Sequence, residues 1–214
     1  MKKIIGIVAR PTISESKKRM LGVYESYIRC IIRAGGIPLI ISPTQDIEYI
    51  KDNSYTPLTI DEESALKVIL DLCDGFLLPG GSDIYEYDYS ILEYAIKNNK
   101  PVLGICLGMQ IMATYKGTNL VLAYNHNQVN HEVNISEDST LYEIFKRKKL
   151  IVNSRHKEQV KDSGLYKVIA KGNEGVIEGI ELDGDTFNLG VQWHPEDLDE
   201  QVLFDYFLEQ IKKQ

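Results

Sequence analysis

Between residues 3 and 116 the chain alternates short, unbroken apolar runs with stretches of helical periodicity. The runs cover 3–9, 37–41, 75–79 and 101–105. A strand with one wet face alternates apolar and polar residues, whereas a strand covered on both faces does not. Unbroken runs separated by helices therefore require a parallel sheet sandwiched between helices. The helical stretches are 20–34, 59–73, 89–99 and 107–116. The first places Tyr24, Tyr27, Ile28, Ile31 and Ile32 on one face and is stopped by Gly35-Gly36. The second opens with Thr59 and Glu62 at capping-box spacing. Residues 43–59 read as a loop with room for one short helix.

The second half changes character. Strands are expected at 131–135, 150–153, 165–170, 175–181 and 186–193, joined by tight turns at 171–175 and 183–185. Such short connections imply some antiparallel pairing. A last helix over 198–213 carries Leu198, Val202, Leu203, Tyr206, Phe207 and Ile211 on one face. No internal repeat or linker interrupts the pattern, so residues 1–214 are expected to form a single domain. Its core needs neither disulfides nor structural metal at that length.

Charge and cysteines narrow the function. With 24 basic against 31 acidic residues the chain has a net charge of −7, which argues against a nucleic-acid partner. The one basic cluster, Lys146 to Lys149, reads as a solvated helix end. The three cysteines are far apart and form no metal or disulfide pattern, favouring a reducing compartment. The apolar run after Met1-Lys2-Lys3 ends at Arg10, too short for a signal peptide, and no run could span a membrane. The expected location is cytoplasmic, without a membrane partner.

Cys30 and Cys73 sit in apolar helical patterns and read as core thiols. Cys106 sits where a strand meets a helix, in Gly104-Ile105-Cys106-Leu107-Gly108. This is the nucleophile-elbow pattern with cysteine in place of serine. The flanking glycines let neighbouring backbone approach a strained turn. A second motif supplies the base. In Gln192-Trp193-His194-Pro195-Glu196 the proline favours extended backbone at His194, so Glu196 faces the same way and can orient the imidazole. A third, Gly80-Gly81-Ser82-Asp83, follows strand 75–79 at the sheet edge where parallel sheets bind ligands. Its backbone N–H groups, with that of Leu107, are suited to hold an oxyanion. His126 and His131 read as too isolated for a ligand set, and there is no phosphate-binding glycine loop, so neither metal nor cofactor is expected. Tyr85, Tyr87 and Tyr89 either line the cleft mouth or simply pack.

Together, residues 104–110, 190–196 and Pro79-Gly80-Gly81 resemble the class I glutamine amidotransferase superfamily. Residues 34–38, 77–83, 152–156 and 176–181 resemble its C26 branch, which includes the γ-glutamyl-γ-aminobutyrate hydrolases. The resemblance implies a flavodoxin-like α/β sandwich, with a mostly parallel central sheet and a smaller antiparallel strand group. It implies Cys106 as nucleophile, His194 as acid/base and Glu196 as its orienter. Gly81 and Leu107 would be the oxyanion donors, and Gly80, Gln110, Ser154, Arg155 and His156 substrate contacts. The implied reaction is hydrolysis of a small γ-glutamyl amide through a thioester. The alternatives are a glutaminase subunit feeding ammonia to a separate synthase, and a catalytically silent binding protein. The partner expected besides substrate is a second copy of the chain or that synthase subunit. The sequence departs from the branch at Leu107, where arginine is usual, at Lys157, where a second histidine is usual, and in the short segment 84–89.

Overall fold

A computed structural model describes residues 2–47, 56–124, 126–198 and 200–213. The first half contains β1 (Ile4–Val8), the hairpin β2 (Arg10–Ile13) and β3 (Arg19–Gly22), α1 (Glu25–Arg33) and β4 (Ile37–Ile41). It continues with α2 (Ile60–Asp71), β5 (Gly75–Leu78), α3 (Glu86–Lys97), β6 (Val102–Ile105) and α4 (Leu107–Thr114). The second half contains β7 (Leu120–Leu122), β8 (Asn127–Ile135), α5 (Thr140–Phe145), β9 (Lys149–Arg155) and β10 (Glu158–Val160). It ends with β11 (Lys167–Gly172), β12 (Ile177–Glu181), β13 (Asn188–Val191), a 3-10 turn at Pro195–Asp197 and α6 (Gln201–Lys213).

Nine strands form one sheet in the order β4-β1-β5-β6-β13-β12-β11-β8-β9. The side from β4 to β13 is parallel, and the pairings from β13 to β9 are antiparallel. The parallel strands show why their sequence is unbroken. On β5, Leu77 joins the core beneath α1, α5 and α6, while Phe76 and Leu78 join the core beneath α2, α3 and α4. On β6, Leu103 and Ile105 face the first core and Val102 the second. Alternate side chains go to opposite faces, and helices cover both. This is the flavodoxin-like sandwich with its antiparallel extension. Among the described residues no helix is long and apolar enough to cross a membrane.

Several expectations change. The helix read over 20–34 begins at Glu25, and Arg19–Gly22 instead pairs with Arg10–Ile13. Ser14 organises the turn between them, accepting the Lys18 N–H on its hydroxyl at 3.0 Å. Tyr24 is therefore a cap residue and is 76% exposed, and Ile32 also faces solvent. Helix α3 starts at 86 rather than 89, because the Asp88 carboxylate accepts the Tyr85 N–H at 2.9 Å and caps its first turn. Helix α5 was unexpected. Its cap is Ser139, and the basic cluster begins just beyond it at Lys146 and runs into β9. On α6 the buried stripe is Leu203, Phe204, Phe207, Leu208 and Ile211, whereas Val202 is exposed. Leu198 packs on the core just before the helix. Part of the loop read over 43–59 lies outside the described residues.

Candidate active site

Cys106 ends β6 and caps α4 with φ 54° and ψ −105°, a left-handed backbone that a side chain seldom adopts. Two constraints enforce it. The Cys106 N–H donates to the Val191 carbonyl at 2.8 Å, locking the corner to the neighbouring strand β13. Gly108 packs its Cα against the backbone of β5, where an added Cβ would stand 1.9 Å from the Leu78 carbonyl oxygen. Helix α4 is thereby pressed onto the sheet. Leu107 opens it, so its N–H is one of the first-turn donors without a helical acceptor.

Strand β13 leads directly into His194. The imidazole Nδ1 lies 2.7 Å from Glu196 Oε1, and the ring also interacts with the Cys106 side chain. Burial alone would lower the basicity of His194. The Cys106 sulfur, as acceptor and negative charge, and the Glu196 carboxylate outweigh it and push its pKa up to about 10. Cys30 and Cys73 lie in apolar surroundings instead, and burial pushes each thiol up to about 11. Both are therefore protonated and inert at neutral pH.

Three supports were not singled out from sequence. Asn153 on β9 clamps His194 at both ends of its backbone. It accepts the His194 N–H at 2.8 Å on Oδ1 and donates to the His194 carbonyl at 3.0 Å. Tyr27 on α1 accepts the Gly80 N–H at 3.1 Å on its hydroxyl, which also faces Glu196. Burial, and then the nearby Glu196 charge, raise the pKa of that phenol well above its ordinary value. Arg10 forms a buried ion pair with Asp88 at 2.6 Å and packs its stem beneath Gly81. A tyrosine at helical spacing reads as core. An asparagine next to expected substrate contacts offered the only sequence signal for Asn153.

The other expected residues divide. Gly81, Cys106, Gln110, Arg155 and His156 line one cleft of about 500 Å³, within the range of small-molecule sites. Gln110 donates to the Glu158 carbonyl at 3.0 Å and to Gln192 at 3.3 Å, tying α4 to the cleft wall. Arg155 is exposed and paired with Asp197. Gly80 is buried and its N–H is taken by Tyr27, leaving Gly81 as the exposed glycine of the loop. Ser154 does not reach the cleft. The strand alternation turns it inward, where it is 1% exposed and donates to the His126 carbonyl. Tyr87 is fully buried, stacks on Tyr85 and donates to the Ala9 carbonyl at 3.3 Å, so it packs rather than lines a mouth. His126 and His131 are not isolated. Their rings lie 4.9 Å apart, because β8 brings both beside His156 and Glu178.

A profile of the peptidase C26 family matches residues 85–196. The chain is similar to the glutamine amidotransferase-like protein YvdE of Lactococcus lactis subsp. lactis. The two are 30% identical over 196 residues, covering 74% of this chain and 82% of that protein. It is also similar to the γ-glutamyl-γ-aminobutyrate hydrolase PuuD of Escherichia coli, 26% identical over 211 residues, with 80% and 77% covered. Among solved structures, the glutaminase domain of Trypanosoma brucei CTPS with bound acivicin has the same fold. Its TM-score is 0.71 at 18% identity, covering 100% of this chain and 95% of that one.

Proposed function

The chain belongs to the peptidase C26 family and is a hydrolase of the glutamine amidotransferase type, and from that premise we propose that it cleaves the amide bond of a small γ-glutamyl compound. The observation that carries this reading is the meeting of Cys106, at a left-handed strand–helix corner, with a buried His194 that Glu196 holds at 2.7 Å. A thiol beside an oriented imidazole is the arrangement nucleophilic acyl transfer needs.

The steps follow from the positions. The Cys106 thiol passes its proton to His194 Nε2 as its sulfur attacks the γ-carbonyl carbon, and the carbonyl π pair moves onto oxygen. The N–H groups of Leu107 and Gly81 hold that oxyanion. As the intermediate collapses, the C–N bond breaks and protonated His194 delivers its Nε2 proton to the departing amine. Water then gives a proton to His194 and adds to the γ-glutamyl thioester. The C–S bond breaks, releasing glutamate and restoring the thiol–imidazole pair. Glu196 and Tyr27 hold the ring and the Gly80–Gly81 loop in place through the cycle. Gln110, Arg155 and His156 form the wall facing the substrate.

The test is glutamate release from a panel of γ-glutamyl amides that differ only in the amine. Cys106→Ala should abolish turnover while leaving the circular dichroism spectrum unchanged. Retention of most activity would remove Cys106 from the mechanism. A second reading, a glutaminase subunit serving a separate synthase, is favoured by Leu107, the residue that synthase-linked glutaminases carry after the nucleophile. Glutamine hydrolysis that appears only with an added synthase, alongside silence on the whole panel, would select it.

A further inference from the structure

Beside the cleft, four side chains from separate parts of the antiparallel half converge on one point. His131 lies on β8 and His126 just before it, His156 follows β9, and Glu178 lies on β12. Strand β11 runs between β12 and β8, and its last residue is Gly172. A Cβ there would stand at ordinary contact distance, 3.6 Å from the His131 ring and 3.7 Å from His126 Nε2, so the end of β11 packs directly against these rings. Glu178 Oε1 lies 3.4 Å from His131 Nε2, 3.7 Å from His156 Nε2 and 3.8 Å from His126 Nε2. The carboxylate is fully buried, and the side chains of His156 and His126 are 2% and 7% exposed.

None of these approaches is a hydrogen bond, which would need about 2.7–3.2 Å. Among the described residues, both Glu178 oxygens and the Nε2 atoms of His131 and His156 are buried without a hydrogen-bond partner. The other ring nitrogens explain why. Nδ1 lies 2.9 Å from the Tyr124 carbonyl in His126, 3.3 Å from the Glu132 carbonyl in His131 and 2.9 Å from the Glu158 carbonyl in His156. A carbonyl only accepts, so each Nδ1 carries the proton, and in a neutral ring the Nε2 lone pair is left facing Glu178. Three lone pairs and a buried carboxylate need a positive charge among them, either a metal ion or a proton.

Their geometry selects the kind of cation. A ligating histidine commonly donates its second ring N–H to a backbone carbonyl, as all three do here. Tetrahedral ligands at about 2.0–2.2 Å from a metal stand about 3.3–3.6 Å from one another. Glu178–His131 already has that separation, and the other two need only a few tenths of an ångström. The donor atoms of His126, His131 and Glu178 all lie within 4.8 Å of one another. Nitrogen-rich donors suit zinc-class ions and not calcium or magnesium, which take oxygen. We propose that His126, His131 and Glu178 bind a divalent zinc-class ion, and that His156, whose Nε2 lies outside that 4.8 Å group but 3.7 Å from Glu178 Oε1, turns in as the fourth ligand. The ion would brace β8, β12 and the segment after β9, and so fix the Arg155–Glu158 wall of the cleft.

The test uses the full chain carrying Cys106→Ala, so that the thiol contributes no ligand. Protein stripped with chelator is titrated with Co2+ and then Zn2+. The expected result is one equivalent of Co2+ with the intense visible absorption of tetrahedral coordination, displaced by Zn2+, and a melting temperature raised by Zn2+. His131→Gln and Glu178→Gln should each weaken Zn2+ binding by more than about 100-fold, exceeding the loss typical when a residue that only hydrogen-bonds to a ligand is changed. His131 is the most exposed of the four, so its variant remains informative should Glu178→Gln fail to fold. Absence of stoichiometric binding would overturn the proposal and leave a proton shared between a histidine and Glu178 as the neutralising charge. An octahedral Co2+ spectrum, or affinity unchanged by His131→Gln, would overturn it equally.

Discussion

The tightest of the glycine approaches, Gly108 against β5, allows a sharp test of how the nucleophile corner is held. Gly108→Ala would place a Cβ 1.9 Å from the Leu78 carbonyl oxygen and 2.8 Å from its carbon. Real Cβ contacts are not shorter than 3.0 Å, so α4 must move away from the sheet by about 1 Å or more. Both contacting atoms are backbone, and no rotamer change relieves the clash. Overpacking of this kind costs about 1–3 kcal/mol. For a chain of this size that lowers the melting temperature by about 2–12 °C. The same displacement moves the Leu107 N–H, on the first turn of α4, away from the oxyanion position. Misplacement by about 1 Å costs on the order of 100-fold in rate. The assay pairs calorimetric melting with kcat on the best substrate of the γ-glutamyl panel. Both quantities should fall, with KM little changed. A Gly108→Ala protein with the parent melting temperature and parent kcat would refute the idea that close backbone packing sets the corner.

Two further outcomes are expected. Arg10→Leu removes the counter-charge of the fully buried Asp88 carboxylate and should cost about 3–5 kcal/mol in denaturant unfolding, whereas Arg10→Leu with Asp88→Asn should recover much of the loss; equal destabilisation of both would show that the ion pair is not the cause. His194 has a pKa raised from 6.5 to about 10, so the stability and the proton-donor capacity of its charged form are fully present below 6.5 and lost as pH rises through about 10. Turnover should show an alkaline limb there. Glu196→Gln removes one of the groups that raise the pKa, so the limb should move to lower pH; an unmoved limb would assign it to another group.

What could be read from sequence follows the reach of each interaction. The strands β1, β5 and β6 were legible because burial on both faces leaves an unbroken apolar run. Helix α2 was legible because its cap lies within three residues of its own start, where the Thr59 N–H donates to Glu62 at 2.7 Å. The Cys106 corner announced itself through Gly104 and Gly108. The β2–β3 hairpin did not, since Met20 and Leu21 lie next to a helix and extend its apolar count while facing outward. Asn153 and Tyr27 serve His194 and Gly80 across long sequence separations, which local pattern cannot register. The histidine cluster was least accessible. Its members gather only because the sheet order sets β8 and β12 on either side of β11.

The change from parallel to antiparallel pairing at β13 also has an engineering consequence. On one side lie the corner, the imidazole and the oxyanion loop. On the other, the span from β7 to β11 supplies the opposing wall through Arg155 and His156. That span could be exchanged as a cassette to alter which amine is accepted while the chemical machinery stays untouched. Of the links that cross the seam, the paired hydrogen bonds of Asn153 to His194 are the ones that hold the base itself. A graft of residues 120–172 would inherit a working nucleophile only if it brought an asparagine to that position.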